Sequence, residues 1–184
     1  MLDLVVYGAS GFTGRLICSY LRRHAPPSLR WALAGRDATR LEQVAAAAEL
    51  EVAAEGGVEG APPCSIIAGC DAGSAAGLLS GNTRCVLSAA GPFLRHSDSL
   101  VRACARSGTH YVDINGEVPW VRRVIERDHE EAVESGAIIV PMCGFDSMPS
   151  DLGALVSAQS LAAHIDEVSA SALPSRPCRI TGWR

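Results

Sequence analysis

The chain has 184 residues, 48% of them apolar and 20% charged, which is long enough for one domain with a sizeable core and ordinary for a globular protein. Its net charge of −4 comes with cations that are all arginine and scattered along the chain, so the basic stripe of a nucleic-acid partner is excluded. Seven cysteines with no C-x-x-C pair, no run of roughly 18 uncharged apolar residues and no signal-peptide pattern at the start predict an intracellular, reduced protein without a zinc site or membrane span.

Residues 2–7 form an apolar run that predicts the first strand, and it leads straight into Gly8, Gly11 and Gly14. Leu16, Ile17, Tyr20 and Leu21 then fall at helical spacing and predict a helix over 12–24. A strand entering a helix through such a turn leaves backbone N–H groups unpaired at the positive end of the helix, where a pyrophosphate can accept them. Gly8 permits the sharp exit from the strand, Gly11 lets the backbone approach phosphate, and Gly14 lets the helix pack closely on the sheet. Ser10 and Thr13 add hydroxyls at the same rim, with Phe12 between them. The spacing is G-x-x-G-x-x-G rather than G-x-G-x-x-G, so the flanking strand and helix carry the nucleotide assignment.

The second strand, over 30–35, ends in Gly35-Arg36, where a dinucleotide fold discriminates its cofactor. A carboxylate there binds the ribose 2′-OH of NAD, whereas an arginine pairs with the 2′-phosphate of NADP. Arg36 therefore favours NADP(H) over NAD(H), although Asp37 beside it leaves room for NAD(H). Asp37 is expected to cap a helix over 38–50, in which Arg40 either turns back to the same phosphate or stays on the surface. Residues 51–63, rich in Ala, Gly and Pro, predict a surface loop. A third strand over 64–70 is followed by Asp71, which either reaches the adenine edge or caps a helix over 74–80.

The fourth strand, over 84–89, ends in small residues and a Gly91-Pro92 turn. Small side chains at the carboxyl edge of a sheet leave space for a flat cofactor, so Ala89, Ala90 and Gly91 are candidates for the ribose and nicotinamide wall. A helix over 97–107 follows, with His96 at its start as the one histidine near that wall. It is a candidate proton donor whose plainer reading is a surface residue. The fifth and sixth strands, over 110–114 and 137–142, lead into the polar clusters 113–117 and 144–151. Asp113, Glu117 and Asp146 there face either substrate or the residues that line it, helix capping is the alternative for Glu117, and Asp151 reads as a helix cap. The helix over 117–135 places Val118, Val121, Val124, Ile125, Ala132 and Val133 on one face, and Gly136 ends it.

A helix over 149–162 and a strand over 166–172 complete the alternation, which predicts an α/β, Rossmann-type doubly wound parallel sheet. Residues 1–165 read as the NAD(P)-binding domain. Residues 166–184 contain a strand with no partner element and a proline-punctuated tail, so the architecture is expected to continue past residue 184, cut short before a second α+β domain.

Five segments taken together, 5–14, 32–36, 87–93, 111–117 and 143–153, resemble the saccharopine dehydrogenase-like oxidoreductases, a family similar to the trans-acting enoyl reductases. The resemblance implies hydride transfer between a nicotinamide and a C=C, C=N or C=O substrate, with a second domain closing over the cofactor. It implies a small-molecule or lipid-like substrate, a link to lipid or glycolipid metabolism, and peripheral association with a membrane or lipid-droplet surface. A homodimer is open under the same resemblance. The alternative is a nucleotide-binding or scaffold module whose chemistry has been lost. A short-chain dehydrogenase reading fails, because that chemistry needs a Tyr-x-x-x-Lys pair and the chain contains no lysine.

Overall fold

The computed structural model describes residues 1–55, 60–63, 65–67 and 81–164. Strand β1 (Leu2–Tyr7) enters helix α1 (Phe12–His24), followed by β2 (Trp31–Ala34), α2 (Ala38–Glu55), β3 (Ser65–Ile67) and β4 (Thr83–Ser88). A short helix α3 (Phe93–His96) precedes α4 (Asp98–Ser107), β5 (His110–Asp113), α5 (Val118–Ser135), β6 (Ile139–Val140) and α6 (Met148–His164). All strand pairs are parallel, in the order β3-β2-β1-β4-β5-β6. The chain therefore winds outward from the centre in both directions, and the order reverses between β1 and β4. Crevices at such a reversal, beyond the carboxyl ends of the strands, are where open α/β sheets bind ligands.

Strand alternation divides the core between the two faces of the sheet. Val5, Tyr7, Ala32, Ala34, Val86 and Tyr111 point to the side covered by Leu100, Val101 and Cys104 of α4 and Trp120 and Val124 of α5. Val6, Trp31 and Leu33 point to the opposite side, against Cys18 of α1 and Leu41 and Val44 of α2. Strands buried on both faces read as continuous apolar runs, and β2, with Trp31, Ala32, Leu33 and Ala34 all fully buried, is the clearest.

Several boundaries differ from the sequence reading. Helix α2 runs on to Glu55, through the first residues expected to form a loop. It persists because Arg22 of α1, almost wholly buried, forms paired bonds of 2.7 Å from its Nε and Nη2 to the Glu49 carboxylate, while Glu51 takes Ser19 Oγ and Arg23. The Arg22 Nη1 also donates to the Gly60 carbonyl at 2.7 Å, and Trp31 Nε1 donates to the Ala61 carbonyl at 2.8 Å, fastening the segment beyond α2. The expected helix over 97–107 is preceded by the separate turn α3, and the sixth strand contracts to Ile139–Val140. The expected helix over 74–80 and strand over 166–172 lie outside the described residues.

The inward face of α5 also differs. Trp120, Val124, Asp128 and Ala132 are buried, whereas Val118, Ile125 and Val133 are exposed. Trp120 sets this face by donating its indole N–H to Asp98 Oδ1 at 2.8 Å. Asp128 can enter the interior because Arg127 and Arg102 meet its carboxylate at 2.6 and 3.4 Å.

Candidate cofactor site

The carboxyl ends of the central strands align. Tyr7 is in register with Ala34 on one side and Ser88 on the other, and Ser88 with Asp113. Everything that follows these residues in the chain emerges at one edge of the sheet.

At the centre of that edge, Gly8 adopts φ +81, a left-handed backbone that L side chains rarely take. Its N–H and that of Ala9 both turn to the Ala34 carbonyl, at 2.9 and 3.2 Å. Helix α1 then starts at Gly11 with no side-chain cap and no acidic residue in its first turn. Its leading N–H groups are therefore unspent, and its positive end carries no carboxylate of its own. Gly14 brings the helix down onto the turn: a Cβ there would stand 2.2 Å from the Gly8 carbonyl oxygen. Gly8 and Gly14 are thus required by backbone conformation and contact as well as by pattern.

On one side of the turn a cavity of about 360 Å³ opens against α2, lined by Ser10, Arg15, Arg40, Gln43, Val44 and Ala47. Ser10 and Arg40, both singled out from the sequence, meet here. Arg40 is held by Asp37, which accepts its backbone N–H at 3.1 Å as a helix cap and approaches its guanidinium at 3.6 Å. Arg15 and Gln43 were missed. The available signal was Arg15's place directly after the third glycine, one turn into a helix that begins at the anion end. Arg36 is exposed at the exit from β2 and does not line this cavity, and Asp71 lies outside the described residues. Phe12 is 75% exposed and Thr13 half-buried at the rim.

On the other side, Ala89, Ala90 and Gly91 run along the turn. Ala89 donates its N–H to the Tyr7 carbonyl at 2.8 Å, and a Cβ on Gly8 would come within 2.9 Å of the Ala90 methyl. The small side chains expected for a flat-ligand wall are what let β4's exit lie against the glycine turn. His96 is exposed at the end of α3 rather than at a helix start.

Two acidic residues of this edge, Asp113 and Glu117, are committed to the protein itself, whereas Asp146 is exposed. Asp113, fully buried, accepts the Tyr111 hydroxyl at 2.9 Å, the Asn115 N–H at 3.1 Å and the Met142 N–H at 2.9 Å, which removes it from any substrate-facing role. The last of these bonds steadies Met142 at φ 61, a strained backbone for a side-chain residue. Burial and the Asp113 carboxylate push the Tyr111 hydroxyl well above its ordinary pKa, so it stays protonated and donates to Asp113. Glu117 caps α3 rather than its own helix, accepting the N–H groups of Phe93 and Leu94 at 3.0 and 2.8 Å. Burial likewise pushes the Cys18 and Cys104 thiols up to about 12, as expected of core cysteines. Among the described residues no helix is long and apolar enough to cross a membrane.

The family model "saccharopine dehydrogenase NADP binding domain" matches residues 4–140. A saccharopine dehydrogenase-like oxidoreductase of Arabidopsis thaliana is 40% identical over 165 residues, covering 85% of this chain and 35% of that protein. A trans-acting enoyl reductase of Mycobacterium leprae is 39% identical over 150 residues, covering 82% and 34%. The chain thus spans about a third of the length of these relatives. Among solved structures, a saccharopine dehydrogenase (L-Glu forming) of Saccharomyces cerevisiae superposes with a TM-score of 0.65 at 17% identity, over 89% of this chain and 32% of that one, a likeness of fold.

Proposed function

The chain belongs to the family of saccharopine dehydrogenase NADP-binding domains, and from that premise we propose that it binds NADP(H) in preference to NAD(H) as the cofactor part of an oxidoreductase. The observation that carries this reading is the uncapped, acid-free start of α1 beside a cavity that presents Arg15 and Arg40. In it the pyrophosphate lies on the first-turn N–H groups of α1, with Gly8, Gly11 and Gly14 clearing its approach and Ser10, Phe12 and Thr13 at its rim. The 2′-phosphate is held by arginine, from Arg36 at the exit of β2 and from Arg40 in the cavity wall. Ala89, Ala90 and Gly91 form the wall for ribose and nicotinamide.

When bound, the cofactor supplies the hydride, to or from a C=C, C=N or C=O group. The chain's own residues bind and orient it. The relatives named enoyl reductases favour C=C among these groups; a lipid-like substrate is part of the proposal. A second reading, a nucleotide-binding module without turnover, is favoured by the engagement of Asp113 and Glu117 with backbone and side-chain donors, which leaves neither to exchange a proton with substrate.

Titration of the purified chain with NADPH and NADH tests the binding. NADPH is expected to bind at least roughly tenfold more tightly, and Arg36→Ala and Arg40→Ala to reduce that preference while sparing NADH, each charge-assisted contact being worth about 1.5–3 kcal/mol before solvent screening. Equal affinities in the wild type would overturn the cofactor assignment. Consumption of NADPH with an enoyl thioester would separate the enzyme from the silent module.

A further inference from the structure

We infer that Glu117 is a positioning residue for the nicotinamide half of the cofactor, pinning the wall over 89–94 against the glycine turn; this inference rests on the cofactor reading above. Helix α3 has four residues, and its N-cap, Pro92, supplies no capping side chain. A turn this short does not hold itself together. Both Glu117 oxygens close it, Oε1 on the Phe93 N–H and Oε2 on the Leu94 N–H, as charge-assisted bonds at the positive end of the turn.

The clamp is anchored deep in the sheet. The Glu117 N–H donates to Asn115 Oδ1 at 2.8 Å, the Asn115 N–H donates to Asp113 Oδ1, and Asp113 in turn accepts Tyr111 and Met142. Tyr111, Asp113 and Asn115 are at most 3% exposed, so the reference frame for Glu117 is the core itself. The hydroxyls of Ser88 and Ser97 are buried near the same Tyr111 oxygen without hydrogen-bonding to it. At its other end the wall leans on the turn through Ala89 and Ala90. Loosening Glu117 therefore displaces one side of the seam between pyrophosphate and nicotinamide. The adenosine side, built from Ser10, Arg15, Arg40 and Gln43, shares no residue with this chain of bonds.

The test compares two ligands on one variant. In Glu117→Gln the amide keeps the carbonyl acceptor but presents N–H to a backbone N–H, so one bond is lost without a change of size. NADPH affinity is expected to fall roughly tenfold, the effect of one hydrogen bond to a charged group. Affinity for 2′,5′-ADP, which has no nicotinamide, is expected to hold within about twofold, and the enhanced emission of bound NADPH to fall. Glu117→Asp, which keeps the charge but shortens the reach, is expected to lose NADPH affinity in the same selective manner, and serves if the glutamine variant does not fold. Parallel loss of both ligands would reduce Glu117 to a fold-stabilising residue and overturn the inference. So would unchanged NADPH affinity and emission. A wild type that binds neither ligand removes the cofactor reading itself, and this inference with it.

Discussion

A Cβ at Gly14 would stand 2.2 Å from the Gly8 carbonyl oxygen and 2.8 Å from Ala9 Cα, and both neighbours are backbone. Neither can swing aside as a side chain could, so Gly14→Ala must lift α1 from the end of β1. We expect a loss of about 3 kcal/mol or more in denaturant unfolding, the upper range for overpacking, together with loss of nucleotide binding. Gly81 is a control of the opposite kind: its φ of +74 is left-handed, yet a Cβ there meets nothing within 4 Å. Gly81→Ala should therefore cost only about 1 kcal/mol of backbone strain. At the thiols, Cys18 and Cys104 stay protonated because burial lifts them to about 12, and a thiol reagent at about pH 8 should leave both unmodified until the chain unfolds. Rapid modification of either in the native protein would show that its surroundings are open.

The elements most legible in the sequence are those whose own residues determine them. Strand β2 and the end of β1 are apolar runs because both faces are covered, and the glycine turn announces itself because Gly8 and Gly14 answer local steric demands. What could not be read depends on partners distant in sequence. The last turns of α2 look like an alanine-rich loop until Glu49 and Glu51 meet α1, 27 and 28 residues earlier for their arginine bonds. Helix α3 is invisible because its cap, Glu117, lies 24 residues downstream of Phe93. On α5 an aspartate occupies the buried stripe, which no apolar period can indicate, since Arg102 and Arg127 neutralise it only in three dimensions. The cavity against α2 divides the same way: Ser10 belongs to a local pattern, but Arg15 and Gln43 join it only through the packing of α1 on α2.

The α1–α2 contact also makes a prediction about pH. Arg22 holds the Glu49 carboxyl below its ordinary range, and Ser19 with Arg23 does the same for Glu51. Folded values below the unfolded ones, which lie at about 4.3, mean that this stabilisation is complete above that pH and is lost as pH falls through the lower folded values. Glu49 is half exposed, so solvent screening keeps the effect modest. Glu49→Gln should lower stability at neutral pH and flatten the acid limb of an unfolding curve. An acid limb identical to wild type would place the pH sensitivity elsewhere.

For the whole molecule, the sheet supplies a rigid central edge and the ligand would bridge its two halves, from α2 on one side to the wall after β4 on the other. Binding to the folded chain alone stabilises it by about 2.7 kcal/mol at a hundredfold excess over Kd. A thermal scan with NADPH at that excess should therefore rise by roughly 5–10 °C, and by less with NADH at the same concentration. The most direct measurement is a backbone amide NMR titration of the 184-residue chain with NADPH. Saturable shifts are expected at Phe12, Thr13 and Gly14, the unspent N–H groups of α1, with a second group at Ala89 to Gly91. Saturation that leaves the start of α1 unmoved, or no saturable binding at all, would contradict the cofactor reading.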